Sequence, residues 1–294
     1  MTAAIQEKTE VLIEALPYIQ RYEGKIFVIK YGGAAMLDEG LKEAFAQDVT
    51  LLKKIGIKVA IVHGGGREVT EMANRLGLES RFVDGQRYTD EPMMGTVQMV
   101  LAGKTNKEIV ARINQHDGGA AGLCGIDADT LRVVKHAGAT DLGLVGDVTS
   151  VNVDYLHLLL DHAIMPVIAP IGVDVRWQSH NVNADHAAAA VAAALRAEKL
   201  VYLSDVEGVM AGAQLLHSLT REQADTLIAT RVISNGMIPK IRSAFGSLDA
   251  GVNKVHLIDG RVKHSLLLEI FTDEGVGTEI VHAEGTLRAA AVQS

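Results

Sequence analysis

The chain has 294 residues, a net charge of −8, and 48% apolar but only 4% aromatic residues. That is ample for a large core of Ala, Val, Ile and Leu, and the acidic balance excludes a protein that works by neutralising nucleic-acid phosphates. A single cysteine, Cys124, excludes an intrachain disulfide and a cysteine-based zinc cluster, and the longest apolar run, 187–195, is too short to span a bilayer.

Residues 1–10 lack the basic start and apolar stretch of a signal peptide, so a cytoplasmic location is expected. Apolar residues at Ile5, Val11, Leu12, Ala15, Leu16 and Ile19 recur at helical spacing and predict a helix over 5–20, with a kink or boundary at Pro17. Residues 25–29 read as a strand and 39–55 as a helix. A second strand over 58–62 is followed by a helix from Glu68 to Leu76, and 89–114 carries a long helical pattern. The glycine-rich stretch 118–148 reads as short strands in hairpins. Then come a helix over 154–161, a strand over 165–169, a helix over 185–195, a strand over 200–203 and a helix over 221–230. A helix over 237–250, a strand over 254–257, a helix over 265–271 and a strand near 277–281 complete the order. Short apolar strands alternating with helices predict an α/β fold whose mainly parallel sheet is covered on both faces. A lobe boundary is expected near residues 172–184.

Such sheets bind ligands at the C-terminal ends of their strands, so the residues just after strands carry the chemistry. The first strand ends in Lys30-Tyr31-Gly32-Gly33. A lysine at a buried strand's end is costly unless it meets an anion, and the glycines let a ligand approach the backbone. A snorkelling lysine on an ordinary turn fits the same residues. The second strand ends in His63-Gly64-Gly65-Gly66, three glycines that disfavour order but suit a phosphate or carboxylate at a helix N-terminus. Gly103-Lys104-Thr105 lacks the upstream glycine of a phosphate-binding P-loop and lies in a helical pattern, so it reads as helix surface. Asp185, after Asn181-Val182-Asn183-Ala184, is either a helix cap or an organiser of nearby cations. Ser204-Asp205-Val206-Glu207-Gly208 is a polar turn suited to a nucleotide, and Asn235-Gly236-Met237-Ile238-Pro239-Lys240 opens a helix whose dipole and lysine favour phosphate.

Together and in order, VIKYGG, IVHGGG, SRFVDGQRYTD, MVLAGKTNKEIV, VIAPIGV, NVNAD, LSDVEGV, NGMIPK and HLIDGR…LLLEIFTDEGVGT resemble the amino-acid kinase family, in its arginine-sensitive acetylglutamate kinase branch, from Thr9 to Val281. The resemblance implies a three-layer α/β/α sandwich and ATP-dependent phosphorylation of the side-chain carboxylate of N-acetyl-L-glutamate, in arginine biosynthesis. It implies Lys30, Lys240 and Asp185 as catalytic residues. Gly65, Gly66, Arg87 and Asn181 are implied to hold the acyl amino acid, and Gly32, Gly33, Asp205 and Gly236 the nucleotide. Mg²⁺ is implied to bind mainly through the nucleotide, with no metal ligand from the protein. Residues 1–24 are implied as an oligomerisation and regulatory helix, 25–180 as the acyl amino acid lobe, and 181–294 as the ATP lobe. Feedback inhibition by L-arginine is implied at Lys199, His256, Glu269 and Gly275, in a hexamer built as a trimer of dimers. A nitrogen-signalling regulator is a further implied partner. Ala34, Arg67-Glu68-Val69 and Tyr88 depart from the family's usual Asn, Pro-Gln-Ile and Val. A sister kinase for another acidic substrate and a catalytically idle arginine sensor remain open.

Overall fold

The computed structural model describes residues 13–83, 85–233, 237–272 and 275–282. Its centre is an eight-stranded sheet. Numbered in chain order, its strands are β1 (Ile26–Tyr31), β2 (Lys58–His63), β3 (Ala120–Cys124), β4 (Met165–Ala169), β5 (Lys199–Ser204), β6 (Ser218–Leu219), β7 (Lys254–Asp259) and β8 (Thr278–Ile280). The spatial order is β6-β8-β7-β5-β1-β2-β4-β3. All neighbours are parallel except β7 and β8. β1 pairs with β5 on one side and β2 on the other, so the two glycine loops and the Ser204 turn emerge side by side.

Strand alternation sorts the core into two layers. Val28, Ala60, Val62, Leu200, Tyr202 and Leu257 face the helices Val153–Asp161, Ala184–Ala194 and Ile238–Asp249. Phe27, Ile29, Tyr31, Val59, Ile61 and Val201 face the helices Glu39–Lys54, Asn106–Gln115 and Ser265–Phe271. This is the expected three-layer sandwich. Burial on both faces explains why these strands read as continuous apolar runs.

Several local expectations are corrected. The helix 13–22 runs on through Pro17 with no boundary there; Tyr18 packs edge-on to Phe271 and Tyr22 to Phe27, and this packing outweighs one lost backbone hydrogen bond. The part of that helix expected over residues 5–12 lies outside the described residues. β3 is a parallel edge strand rather than part of a hairpin; the hairpin of that region joins Leu131–Lys135 to Gly146–Val151. An antiparallel pair, Ile171–Val173 with Ser179–Asn181, runs through the segment where a lobe boundary is expected, and is compatible with one. The long helix over 89–114 is α-helical over Glu91–Gln98 and Asn106–Gln115, with a π-helical stretch Met99–Thr105 between them. Thr105, expected on the surface, is buried there, whereas Lys104 is exposed and pairs with Glu108 at 2.9 Å. No helix among the described residues is long and apolar enough to cross a membrane.

Candidate active site

Lys30 lies on the β1 face that meets the helix Ala184–Ala194. Its Nζ is 2.9 Å from Asp185 Oδ1. Asp185 is free for this because it is not the cap. Asn183 caps the helix, its Oδ1 accepting from the N–H groups of Asp185 at 2.8 Å and His186 at 3.3 Å. Gly32 leaves room for the lysine, since a Cβ there would stand 3.2 Å from Lys30 Nζ. Gly33 has φ +64 and opens a short 3₁₀ turn, a conformation glycine reaches without strain.

Lys240, in the first turn of the helix Ile238–Asp249, donates to Ser204 Oγ at 2.8 Å and lies 3.6 Å from Asp205 Oδ1. Asp205's own backbone N–H, and then the Lys240 charge, hold its carboxyl below the usual range. Lys30, Asp185, Ser204 and Lys240 line one cleft. Two cations from stretches 210 positions apart in the chain thus meet beside two helix N-termini, an arrangement suited to a polyanion. Asp185 touches Lys30; the ion pair of Lys240 is with Asp205. Gly236 lies outside the described residues.

A second cavity, of about 200 Å³, adjoins this cleft and is lined by Gly65, Gly66, Arg87, Phe82, Asn181 and Ala184, among others. Arg87 is 7% exposed and makes three hydrogen bonds at 2.7 Å, to Ser80 Oγ, Gly66 O and Thr70 Oγ1, with its guanidinium over the Phe82 ring. All three acceptors are neutral, and no carboxylate pairs with it among the described residues. A buried cation of this kind is prepared for an anionic ligand. Asn181 Nδ2 donates to Thr89 Oγ1 at 3.2 Å. Gly65 has φ +146, and a Cβ there would meet Leu101 Cδ2 of the π-helical stretch at 2.5 Å. Only glycine fits.

A third cavity, about 560 Å³, lies at the opposite end of the sheet. Lys199, His256, Glu269 and Gly275 line it together with Tyr18, Arg21 and Tyr22 of the N-terminal helix. Lys199 Nζ donates to His256 Nε2 at 2.7 Å, and His256 Nδ1 donates to Glu269 Oε1 at 2.6 Å. Burial pushes Lys199 down to about 8 and lowers His256 as well. Burial alone raises Glu269, but His256 and the N–H groups of Val276 and Gly277 outweigh it and leave the carboxyl below its ordinary range. Gly275, φ +66, leaves space that a Cβ would take 2.6 Å from Glu269 Oε2.

The sequence profile of the amino acid kinase family matches residues 25–259. The chain belongs to the amino acid kinase family. Within it, this kinase sits among the acetylglutamate kinases. It is 55% identical over 273 residues to the acetylglutamate kinase of Chlorobium chlorochromatii, covering 93% of this chain and 96% of the relative. Two solved structures of N-acetylglutamate synthase from Neisseria gonorrhoeae are also similar, each at 26% identity. The one complexed with coenzyme A and N-acetyl-glutamate has a TM-score of 0.83, covering 96% of this chain and 68% of the other. The one complexed with coenzyme A and L-arginine has a TM-score of 0.79, covering 93% and 65%.

The structure thus gathers the named residues other than Gly236 around two adjoining sites and a third at the far end of the sheet. It also gives partners that motif reading did not assign: Ser204 to Lys240, Ser80 and Thr70 to Arg87, and Asn106 to His63 beneath the triple glycine. Asn106 stands inside the quoted string MVLAGKTNKEIV, so its position was visible in the sequence and its role was not.

Proposed function

We propose that this kinase transfers the γ-phosphoryl group of ATP to the side-chain carboxylate of N-acetyl-L-glutamate, giving an acyl phosphate and ADP. The observation that carries this reading is the pairing of the Lys30–Lys240 cleft with a neighbouring cavity holding the cation Arg87, whose hydrogen-bond partners among the described residues are all neutral. A carboxylate is already ionised at neutral pH and needs no general base. Its oxygen attacks the γ-phosphorus as the bond to the β-phosphate oxygen breaks. The difficulty is repulsion between two anions, which Lys30 and Lys240 relieve by neutralising the equatorial oxygens. Asp185 holds Lys30 in place, Arg87 attracts the α-carboxylate by its charge, and Asn181 and the Gly65 and Gly66 backbones orient the acceptor.

Mg²⁺ supplies further charge neutralisation on the β- and γ-phosphates. Among the described residues no three or more His, Cys, Asp or Glu side chains converge as a metal cage, and Asp185 and Asp205 are the carboxylates beside the two lysines. This donor set fits a metal held mainly by the nucleotide. The reading divides the chain into a helical appendage over 1–24, an acyl amino acid lobe over 25–180 and an ATP lobe over 181–294, working in the cytoplasm.

L-Arginine occupies the third cavity in this reading and inhibits the kinase. Glu269 pairs with its guanidinium, while Lys199 and His256 complete the site and the Gly275 backbone closes it. Support comes from the acid-and-base lining and the contribution of the N-terminal helix. The same helix, with Ile13 and Leu16 exposed, joins dimers into a hexamer, and a nitrogen-signalling protein acts on that assembly. The test traps acyl phosphate as hydroxamate, with N-acetylglutamate or free glutamate, with and without arginine. Lys30→Ala and Lys240→Ala are each expected to lower kcat by about 100- to 1000-fold. Preference for the free amine overturns the acceptor assignment, and arginine binding without any product overturns the catalytic one.

A further inference from the structure

We propose that His63 and Asn106 are positioning residues that aim the Gly65 N–H at the acceptor carboxylate. This rests on the acceptor assignment above and extends it to a layer beneath the site.

His63 ends β2 and is fully buried. Its Nδ1 lies 2.7 Å from Gly64 O. A carbonyl only accepts, so Nδ1 carries the proton and Nε2 is an acceptor. Nε2 meets Asn106 Nδ2 at 3.1 Å, and the same amide nitrogen donates to Val167 O at 2.8 Å. Asn106 Oδ1 accepts from Lys107 Nζ at 3.0 Å. Every ring nitrogen and amide atom of the pair therefore has a partner. A flipped imidazole would set C–H groups against Gly64 and Asn106. Burial drives the His63 pKa down to about 4, in agreement with a neutral ring.

The Gly64–Gly65 peptide is trans and planar, so its N–H points opposite to its C=O. With the oxygen turned onto the imidazole, the Gly65 N–H faces the other way, toward the cavity lined by Gly64, Gly65, Gly66 and Arg87. No backbone carbonyl among the described residues accepts it. His63 thus sets the direction of a donor that it does not itself supply.

Two features of other elements serve the same arrangement. The π-helical stretch Met99–Thr105 ends where Asn106 turns inward, with no exposed surface. Opposite it, Gly122 of β3 leaves the space that Asn106 fills: a Cβ there would lie 1.9 Å from Asn106 Oδ1 and 2.7 Å from Lys107 Nζ. A glycine inside a strand costs stability and marks a close approach; here the approaching group is the amide that holds His63.

The test compares His63→Leu, His63→Asn and Asn106→Ala with the unaltered protein in steady-state kinetics. In His63→Leu the KM for N-acetylglutamate is expected to rise about tenfold, the worth of one hydrogen bond to a charged group. The KM for ATP should stay within about twofold. His63→Asn sets an amide nitrogen where Nδ1 stood and should recover most of the loss; Asn106→Ala should fall between. The Gly65 amide resonance reads the same orientation without substrate: it should move in His63→Leu and return in His63→Asn. The idea is overturned if both KM values rise together, if His63→Asn is as impaired as His63→Leu, or if the Gly65 resonance does not move. An unaltered protein that makes no N-acetylglutamyl hydroxamate counts against the acceptor assignment, and the resonance then decides the relay alone.

Discussion

A histidine held neutral in a fully buried position makes stability depend on pH, and His63 is such a residue. Its folded pKa is lowered to about 4 from 6.5. Between those values the unfolded chain binds a proton that the native chain does not, so stability rises with pH across this window. The contribution is complete above about pH 6.5 and is lost as pH falls toward about 4; its size is on the order of 3 kcal/mol. Urea unfolding at pH 7 and pH 5 should show the decline, and His63→Asn, which cannot titrate, should show less of it. Strand order made His63 legible as a residue beside a ligand loop. Its neutral state was not legible, because that follows from full burial in the folded chain, where its ring partner is Asn106, 43 positions away.

At the scale of the element, the Ala-rich helix Ala184–Ala194 shows how a cap serves chemistry. Asn183 takes the orphan N–H groups at its start, and this leaves the Asp185 side chain for Lys30. Asn183→Ala should cost about 1 kcal/mol of stability. It should also lower kcat, because Asp185 becomes available to its own helix end instead of the lysine. Asn183→Ser, which keeps a capping oxygen, should recover both. Thermal unfolding and hydroxamate kinetics on the same samples check the pair of effects. The sequence left Asp185 as either a helix cap or an organiser of cations. The structure gives the cap to Asn183, since only the residue before the first turn has its side chain over the free N–H groups. The π-helical stretch is the converse case. Its residues follow an ordinary helical pattern, and the extra residue in the turn becomes necessary only when Leu101 must pack over Gly65 while Asn106 reaches His63.

Across the whole molecule, the cleft and the third cavity occupy opposite ends of the same strands. β5 begins at Lys199 in one and ends at Ser204 in the other, six residues or about 17 Å apart. A ligand that shifts Lys199 therefore acts on the strand whose far end holds Lys240's partner. The lowered pKa of Lys199, about 8, gives this arrangement a pH signature. If arginine binds as proposed, then as pH rises through 8 the ammonium becomes neutral and loses its attraction for the effector's carboxylate. Arginine's half-inhibiting concentration should therefore climb severalfold between pH 7 and pH 9, on the order of the loss of one screened ion pair. Lys199→Met should inhibit weakly at both pH values, with little change between them. Inhibition that is unchanged from pH 7 to pH 9 would remove Lys199 from the site.

Most of the alternation of strands and helices, the apolar runs buried on both faces and the glycine loops after β1 and β2 were determined by the sequence alone, because each is a local consequence of residue type and spacing. So was the family, through motifs that keep their order along the chain. Tertiary structure decided which charges meet. It brought Lys30 to Asp185, Lys240 to Ser204 and Lys199 to His256, pairs separated by 155, 36 and 57 positions. It also decided that β3 joins the sheet and that Gly122 makes way for Asn106. Spacing along a chain constrains partners only within a helix turn or a hairpin; beyond that, the parallel register of the sheet determines them.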